Sequence, residues 1–210
     1  MNHSEEKPRR GRPPKHPRNN IDTKNALIHS GIEMLTERGY MTSDIEGILK
    51  KVGVPKGSFY YYFDSKESFG REVMASYARY FSNKLDNCLN NSLLSPLNRI
   101  YAFYEDAKNG MAKYHFERGC LVGNLSQEVT TLPEGYRNIL SNIMNDWQDK
   151  IEACLIEAQK VGELSTIADC KKLASFFWIG WEGAVMRAKL TKEASPLNIF
   201  IDGFITNLPR

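Results

Sequence analysis

Between residues 44 and 63 the chain twice starts a helix and twice stops it. Ile45, Ile48, Leu49 and Val52 recur at i, i+3, i+4 and i+7, the spacing of one helical face. Gly53 breaks that face, and Pro55 is placed to open a second helix in which Phe59 and Phe63, four apart, share one edge. Two short helices around a three-residue break containing glycine predict a helix-turn-helix. The second helix sets a problem of its own. In GSFYYYFDSKESF, residues 57–69, three tyrosines stand side by side between phenylalanines. Neighbours on a helix point about 100° apart, so these rings cannot all share the face of Phe59 and Phe63. Tyr60 and Tyr61 fall on the outward arc.

The flanks extend the pattern. Asp22 offers an N-cap to a helix carrying Leu27, Gly31, Met34, Leu35 and Arg38 on one face, and Gly39 ends it. Thr42, Ser43 and Asp44 offer caps to the helix that follows. Ser65 is placed to cap a long helix with Glu67 near its positive end. Beyond it the apolar period stays helical, with Pro96, Pro133 and Pro196 each where a helix can begin. From Tyr136 to Val161, Ile139, Ile143, Trp147, Ile151, Cys154 and Leu155 make one stripe. No alternating β pattern of any length occurs. The expected fold is all-α, with about nine helices.

Charge divides the chain unevenly. The formal net charge is +3, yet residues 1–20 alone carry six Lys/Arg against Glu5 and Glu6. The excess of positive charge therefore lies in the N-terminal arm, which is rich in Pro, Arg and Asn, cannot bury apolar surface and is expected to be disordered. The expected division is a basic arm over 1–20, a helix-turn-helix domain over 21–67 and a larger helical domain over 68–210. No apolar run is long enough for a membrane span, and no signal peptide opens the chain. Cys88, Cys120, Cys154 and Cys170 lie far apart without a CxxC pair, which suits reduced thiols in a cytoplasm. His29 and His115 are isolated, no spacing suggests a metal site, and no cofactor motif is present.

The second helix of such a motif enters the major groove with its N-terminal residues toward the bases. Here that end is Lys56, Gly57 and Ser58. Tyr60 and Tyr61 can donate their hydroxyls to phosphate oxygens, and Lys66 would add charge to the same strand. The hydroxyls and amides of Thr42 and Ser43 offer a further phosphate site. Exposed or half-buried packing residues of a helical bundle would produce the same tyrosines, but not the turn and spacing around them. VPKGSFYYYFDSKESF, preceded by RGY and SDIEGILKKVG, resembles the DNA-binding domain of TetR-family transcriptional regulators over about residues 22–70. The resemblance implies three N-terminal helices for double-stranded DNA with a two-fold operator. It also implies a divergent helical domain for ligand binding and homodimerisation, and release of the operator on binding a small-molecule effector. RRGRPPK at 9–15 resembles an AT-hook, with Arg10 and Arg12 flanking a glycine that lets the backbone sit deep in the minor groove. A solvated basic tail that only adds charge is the alternative reading.

In the larger domain, Leu173–Leu190 carries Gly180, Gly183, Ala184 and Ala188, and the last helix carries Leu197, Phe200, Ile201, Phe204 and Leu208. These two helices are the candidate dimer seam, although core packing within one chain would give the same stripes. Trp178 and Trp181 are three apart, and Tyr101, Phe103, Tyr104 and Tyr114 add rings that can line a cavity or simply pack. RGCLVGNLSQE and WIGWEGAVMRAKL resemble a TetR subgroup whose members respond to acrylate or to reactive electrophiles. That implies Cys120, Trp178 and Trp181 near the effector. One electrophile-sensing branch implies a reactive cysteine before the HFERG segment, and this chain has none between Cys88 and Cys120. The reading therefore leans toward reversible binding of a small, anionic ligand, with Arg118 and Arg187 as partners for a carboxylate. Cysteine modification, and an architectural DNA-binding protein without an effector, stand as alternatives. No catalytic constellation is present: the chain has no phosphate-cradling glycine loop, no HExxH and no nucleophile context.

Overall fold

The computed structural model describes residues 20–210 and contains, among these, nine helices and no strand. The basic arm, with Arg10 and Arg12, lies outside the described residues. Helix α1 (Asn20–Arg38) begins two residues before the expected cap, so Asp22 sits in its first turn, where a carboxylate faces the positive end of the helix. Gly39 ends it at φ +81°, a left-handed conformation open to glycine without steric cost. Asp44 caps α2 (Ile45–Val52) by accepting from the Gly47 amide, and Gly53, at φ +73°, terminates it. Pro55 precedes α3 (Lys56–Tyr62). Ser65 and Ser68 cap α4 (Lys66–Leu89) reciprocally.

The larger half consists of α5 (Pro96–Lys113), α6 (Leu121–Gln127), α7 (Tyr136–Lys160), α8 (Cys170–Thr191) and α9 (Ser195–Thr206). Helix α4 packs on α1 at one end and on α5 and α7 along its length, so it joins the two halves. The core of the larger half is aromatic. Phe81 meets Trp147 at 4.3 Å between centroids, and Trp147 meets Trp178 at 5.4 Å. Phe177 stacks on Trp181 and is approached edge-on by Phe200. Burying rings of this size dominates the apolar driving force.

The stripe read as a dimer seam has a different use. Leu197, Ile201, Phe204 and Leu208 are buried within the chain, and so are Ala184 and Ala188. Gly180 lies under the Phe200 ring so closely that a Cβ there would be 2.4 Å from it. These residues join α8 to α9. A second stripe remains outside. Phe176, Ile179, Met186 and Leu190 are exposed, Gly183 between them faces open space, and Ile199 of α9 is also exposed. Their spacing of three and four residues describes one face of α8.

Candidate functional site

The helix-turn-helix is held from behind. Phe59 and Phe63 are buried and pack on Phe69 of α4 at 5.2 and 4.9 Å between centroids. That fixes the roll of α3 and turns Tyr60 and Tyr61 outward, at 50% and 70% exposure, while Tyr62 is half-buried. Lys56 and Gly57 are exposed at the start of α3, with nothing near Gly57, and Ser58 is half-buried. Thr42 is exposed, its hydroxyl donating to Arg38 O at 2.6 Å. Ser43 and Lys66 are placed otherwise than expected. Ser43 is buried and its hydroxyl donates to Gly39 O, so it braces the α1–α2 turn. Lys66 Nζ donates to Ser43 O at 2.6 Å and Tyr40 O at 3.1 Å and lies over the Tyr40 ring. Its ammonium is spent on that turn; burial lowers its pKa, opposed by Asp44 and Glu128. Glu128, at the end of α6, completes the brace by accepting from the Tyr40 and Met41 amides.

A cavity of about 360 Å³ lies where α1, α4, α5, α8 and the α5–α6 loop meet. Phe81, Phe103, Met111, Trp181 and Val185 supply its apolar walls; His29, Ile32, Glu33 and Thr36 of α1 close one side. Four of the expected ligand residues line it, namely Tyr114, Arg118, Cys120 and Trp181. Three do not. Tyr104 is buried and its hydroxyl donates to Asn198 of α9 at 2.6 Å. Trp178 lines instead a groove between α6, α7 and α8; the roughly 60° that separates it from Trp181 around the helix is enough to put the two rings in different spaces. Arg187 is exposed on the far side of α8.

Other polar groups in and around the cavity escaped sequence reading. Lys84 pairs with Asp106 at 2.7 Å. Arg118 pairs with Glu33 and Glu37 of α1, each at 3.0 Å. Burial works to raise the Glu33 pKa, but Lys51 and Arg118 outweigh it and hold this carboxyl below its ordinary value. Behind Cys120 lies Glu182, whose buried carboxyl is pushed up to about 7 by desolvation, the Cys120 hydrogen bond opposing. A lone acid inside WIGWEGAVM was the available signal. Cys120 is itself buried, caps α6 by accepting from the Gly123 amide, and has its thiol pKa raised well above normal by burial and by the Glu182 carboxylate. A thiolate is the nucleophilic form, and this environment disfavours it.

The loop carrying Arg118 is strained. His115 and Phe116 both adopt left-handed conformations, at φ 53° and 57°, which cost about 1–2 kcal/mol apiece for residues with a Cβ. Arg118 and Gly119 tie the loop itself to α1, and Asn124 of α6 and Lys189 of α8 bind the same end of α1. Gly119 N donates to Thr36 O, Asn124 Nδ2 to Leu35 O and Thr36 O, and Lys189 Nζ to Thr36 O and Glu37 O. The C-terminal carbonyls of α1 are thus satisfied by the larger half of the molecule.

Comparison with known proteins gives the family. Residues 27–73 match the model of the bacterial regulatory proteins of the tetR family, and residues 96–204 match the tetracyclin repressor-like C-terminal domain. The chain belongs to the TetR family. It is 45% identical over 199 residues to the transcriptional regulator AcuR of Cereibacter sphaeroides, covering 95% of this chain and 90% of that one. With the transcriptional repressor DhaR of a Mycobacterium species it shares 30% over 175 residues, covering 83% and 86%. A crystal structure of a TetR regulatory protein from Rhodobacter sphaeroides superposes with a TM-score of 0.87 at 44% identity, covering 89% of this chain and 98% of that one. As a TetR-family member the chain is a DNA-binding transcriptional regulator. No helix among the described residues is long and apolar enough to cross a membrane, and none of their His, Cys, Asp and Glu side chains cluster as metal ligands.

Proposed function

We propose that this TetR-family regulator is a dimeric cytoplasmic repressor that leaves its operator when a small carboxylate, such as acrylate, occupies the cavity. The observation that carries the reading is the position of α1, which scaffolds the helix-turn-helix on one side and forms a wall of the cavity on the other. A ligand that pushes on that wall pushes on the DNA-binding helices. In this reading Lys56, Gly57 and Ser58 form the base-reading end of α3 and the outward Tyr60 and Tyr61 take phosphates, whereas the Thr42 hydroxyl, whose proton goes to Arg38 O, does not. The exposed stripe on α8, with Ile199 of α9, is the surface for a second copy, and a two-fold operator requires two recognition helices. The apolar walls and single arginine fork of the cavity suit a small, unsaturated or short-chain acid.

Fluorescence anisotropy tests this on DNA from upstream of the protein's own gene, with sodium acrylate and N-ethylmaleimide added separately. Acrylate should release the DNA at concentrations where acrylamide does not. Release by N-ethylmaleimide alone would move the switch to a cysteine, against the burial of Cys120, and binding indifferent to both would remove the carboxylate reading.

A further inference from the structure

The charged groups lining the cavity are already satisfied. Lys84 is matched by Asp106, and Arg118 by two carboxylates of α1 while its guanidinium lies 4.0 Å from the Tyr114 ring centroid. Glu33 has a second partner, Lys51 of α2, so one ion cluster runs from the cavity wall through α1 to the first helix of the helix-turn-helix. A carboxylate entering this space meets no vacant cation and must take one from its present partner. Arg118 is the one to yield. Its planar fork suits a carboxylate, and giving up Glu37, which keeps about a third of its side-chain surface in solvent, leaves that acid hydrated rather than stranded. Lys84 is the weaker candidate: its ammonium offers no planar fork, and although the Asp106 side chain reaches solvent, the Oδ2 that holds Lys84 is itself buried.

We propose that an anionic effector takes the Arg118 guanidinium from Glu37 and Glu33, and that this exchange of ion partners carries occupancy of the cavity to α1 and, through Lys51, to α2. The inference rests on the carboxylate reading above. Exchanging one carboxylate for another on the same guanidinium is close to neutral, so a weakly bound small acid can drive it with the apolar contact it gains. The loop bearing Arg118 is strained at His115 and Phe116 and gains freedom to relax once the arginine no longer anchors it to α1.

Calorimetric titration of the full-length, DNA-free protein with acrylate and with neutral acrylamide tests the exchange in wild type, Glu37→Gln and Arg118→Gln. Removing a competing carboxylate should make Glu37→Gln bind acrylate about three- to fivefold tighter, the scale of a partly exposed ion pair, with acrylamide binding unchanged. Arg118→Gln should lose acrylate binding about tenfold or more. Equal acrylate affinity in wild type and Glu37→Gln overturns the exchange while leaving the carboxylate reading intact. A wild type that binds no acrylate removes both. Should Arg118→Gln fail to fold in a thermal melt, the Glu37→Gln comparison decides alone.

Discussion

Glu182 is a carboxyl in the wrong solvent, and its replacement by glutamine gives a stability change whose sign and pH window follow from the structure. In the native chain it titrates at about 7 against an ordinary 4.5. Between those values the folded protein holds a proton that the unfolded chain has released. The contribution of Glu182 to stability is therefore fully present below about pH 4.5 and is lost as pH rises through 7. A shift of this size corresponds to about 3 kcal/mol at pH 8.5. Glutamine fills the same volume without acquiring charge, and its amide oxygen can still accept from the Cys120 thiol. Urea unfolding of wild type and Glu182→Gln at equal protein concentration should give equal stabilities near pH 4.5. By pH 8.5 the variant should be ahead by about 2–3 kcal/mol. The same substitution removes the negative charge that raises the Cys120 pKa, so iodoacetamide should label that thiol faster in the variant at pH 8.5. A stability difference that does not change between pH 4.5 and 8.5 would refute the reasoning, since a merely steric effect of the substitution has no pH dependence.

Three further outcomes are expected. Tyr60→Phe should weaken operator binding by about 0.5–1.5 kcal/mol, equally on specific and scrambled DNA, because a phosphate contact carries no sequence information; anisotropy titrations check this. Ile179→Glu places a charge in the centre of the exposed α8 stripe, where Ile179 is 72% exposed, and should yield a folded monomer by analytical ultracentrifugation with little change in thermal stability of the subunit. Gly31→Ala should destabilise the chain by about 1–3 kcal/mol in thermal unfolding. Its Cβ would lie 2.5 Å from the Phe69 ring and 2.8 Å from Val73, both fixed in the α1–α4 contact.

The helix-turn-helix was legible because its determinants are local. The stop at Gly53, the start at Pro55 and the four-residue spacing of Phe59 and Phe63 each act within a turn or two of backbone, and they decide which tyrosines face outward. Helix α6 escaped because it has only seven residues and carries Gly123 in its middle; what makes it helical is burial of Leu121, Val122 and Leu125 against the rest of the molecule. The cavity was half legible. Residues around the HFERG segment and Trp181 reach it, whereas Trp178, on the same helix, faces another way, and a three-residue spacing alone does not say which ring goes where. The dimer stripe shows the same limit. Two apolar faces alternate along α8 and α9, and only packing tells which of them the chain keeps for itself. Lys66 and Arg118 looked like free cations because their partners, Tyr40 and Ser43 carbonyls in one case and Glu33 and Glu37 in the other, stand 23 to 85 positions away in the chain.

The cavity borrows a wall from α1, and this bears on how such regulators can be recombined. Joining the first three helices of one family member to the remaining helices of another looks like a clean exchange of address and sensor. Here it would import a foreign set of residues at positions 29, 32, 33 and 36, and with them a foreign match for Arg118. A chimera cut between α3 and α4 would therefore be mistuned in sensitivity even with its DNA contacts intact. Moving the ligand response of this chain as a unit means carrying α1 along with the sensor and grafting the operator-reading surface onto α2 and α3 alone.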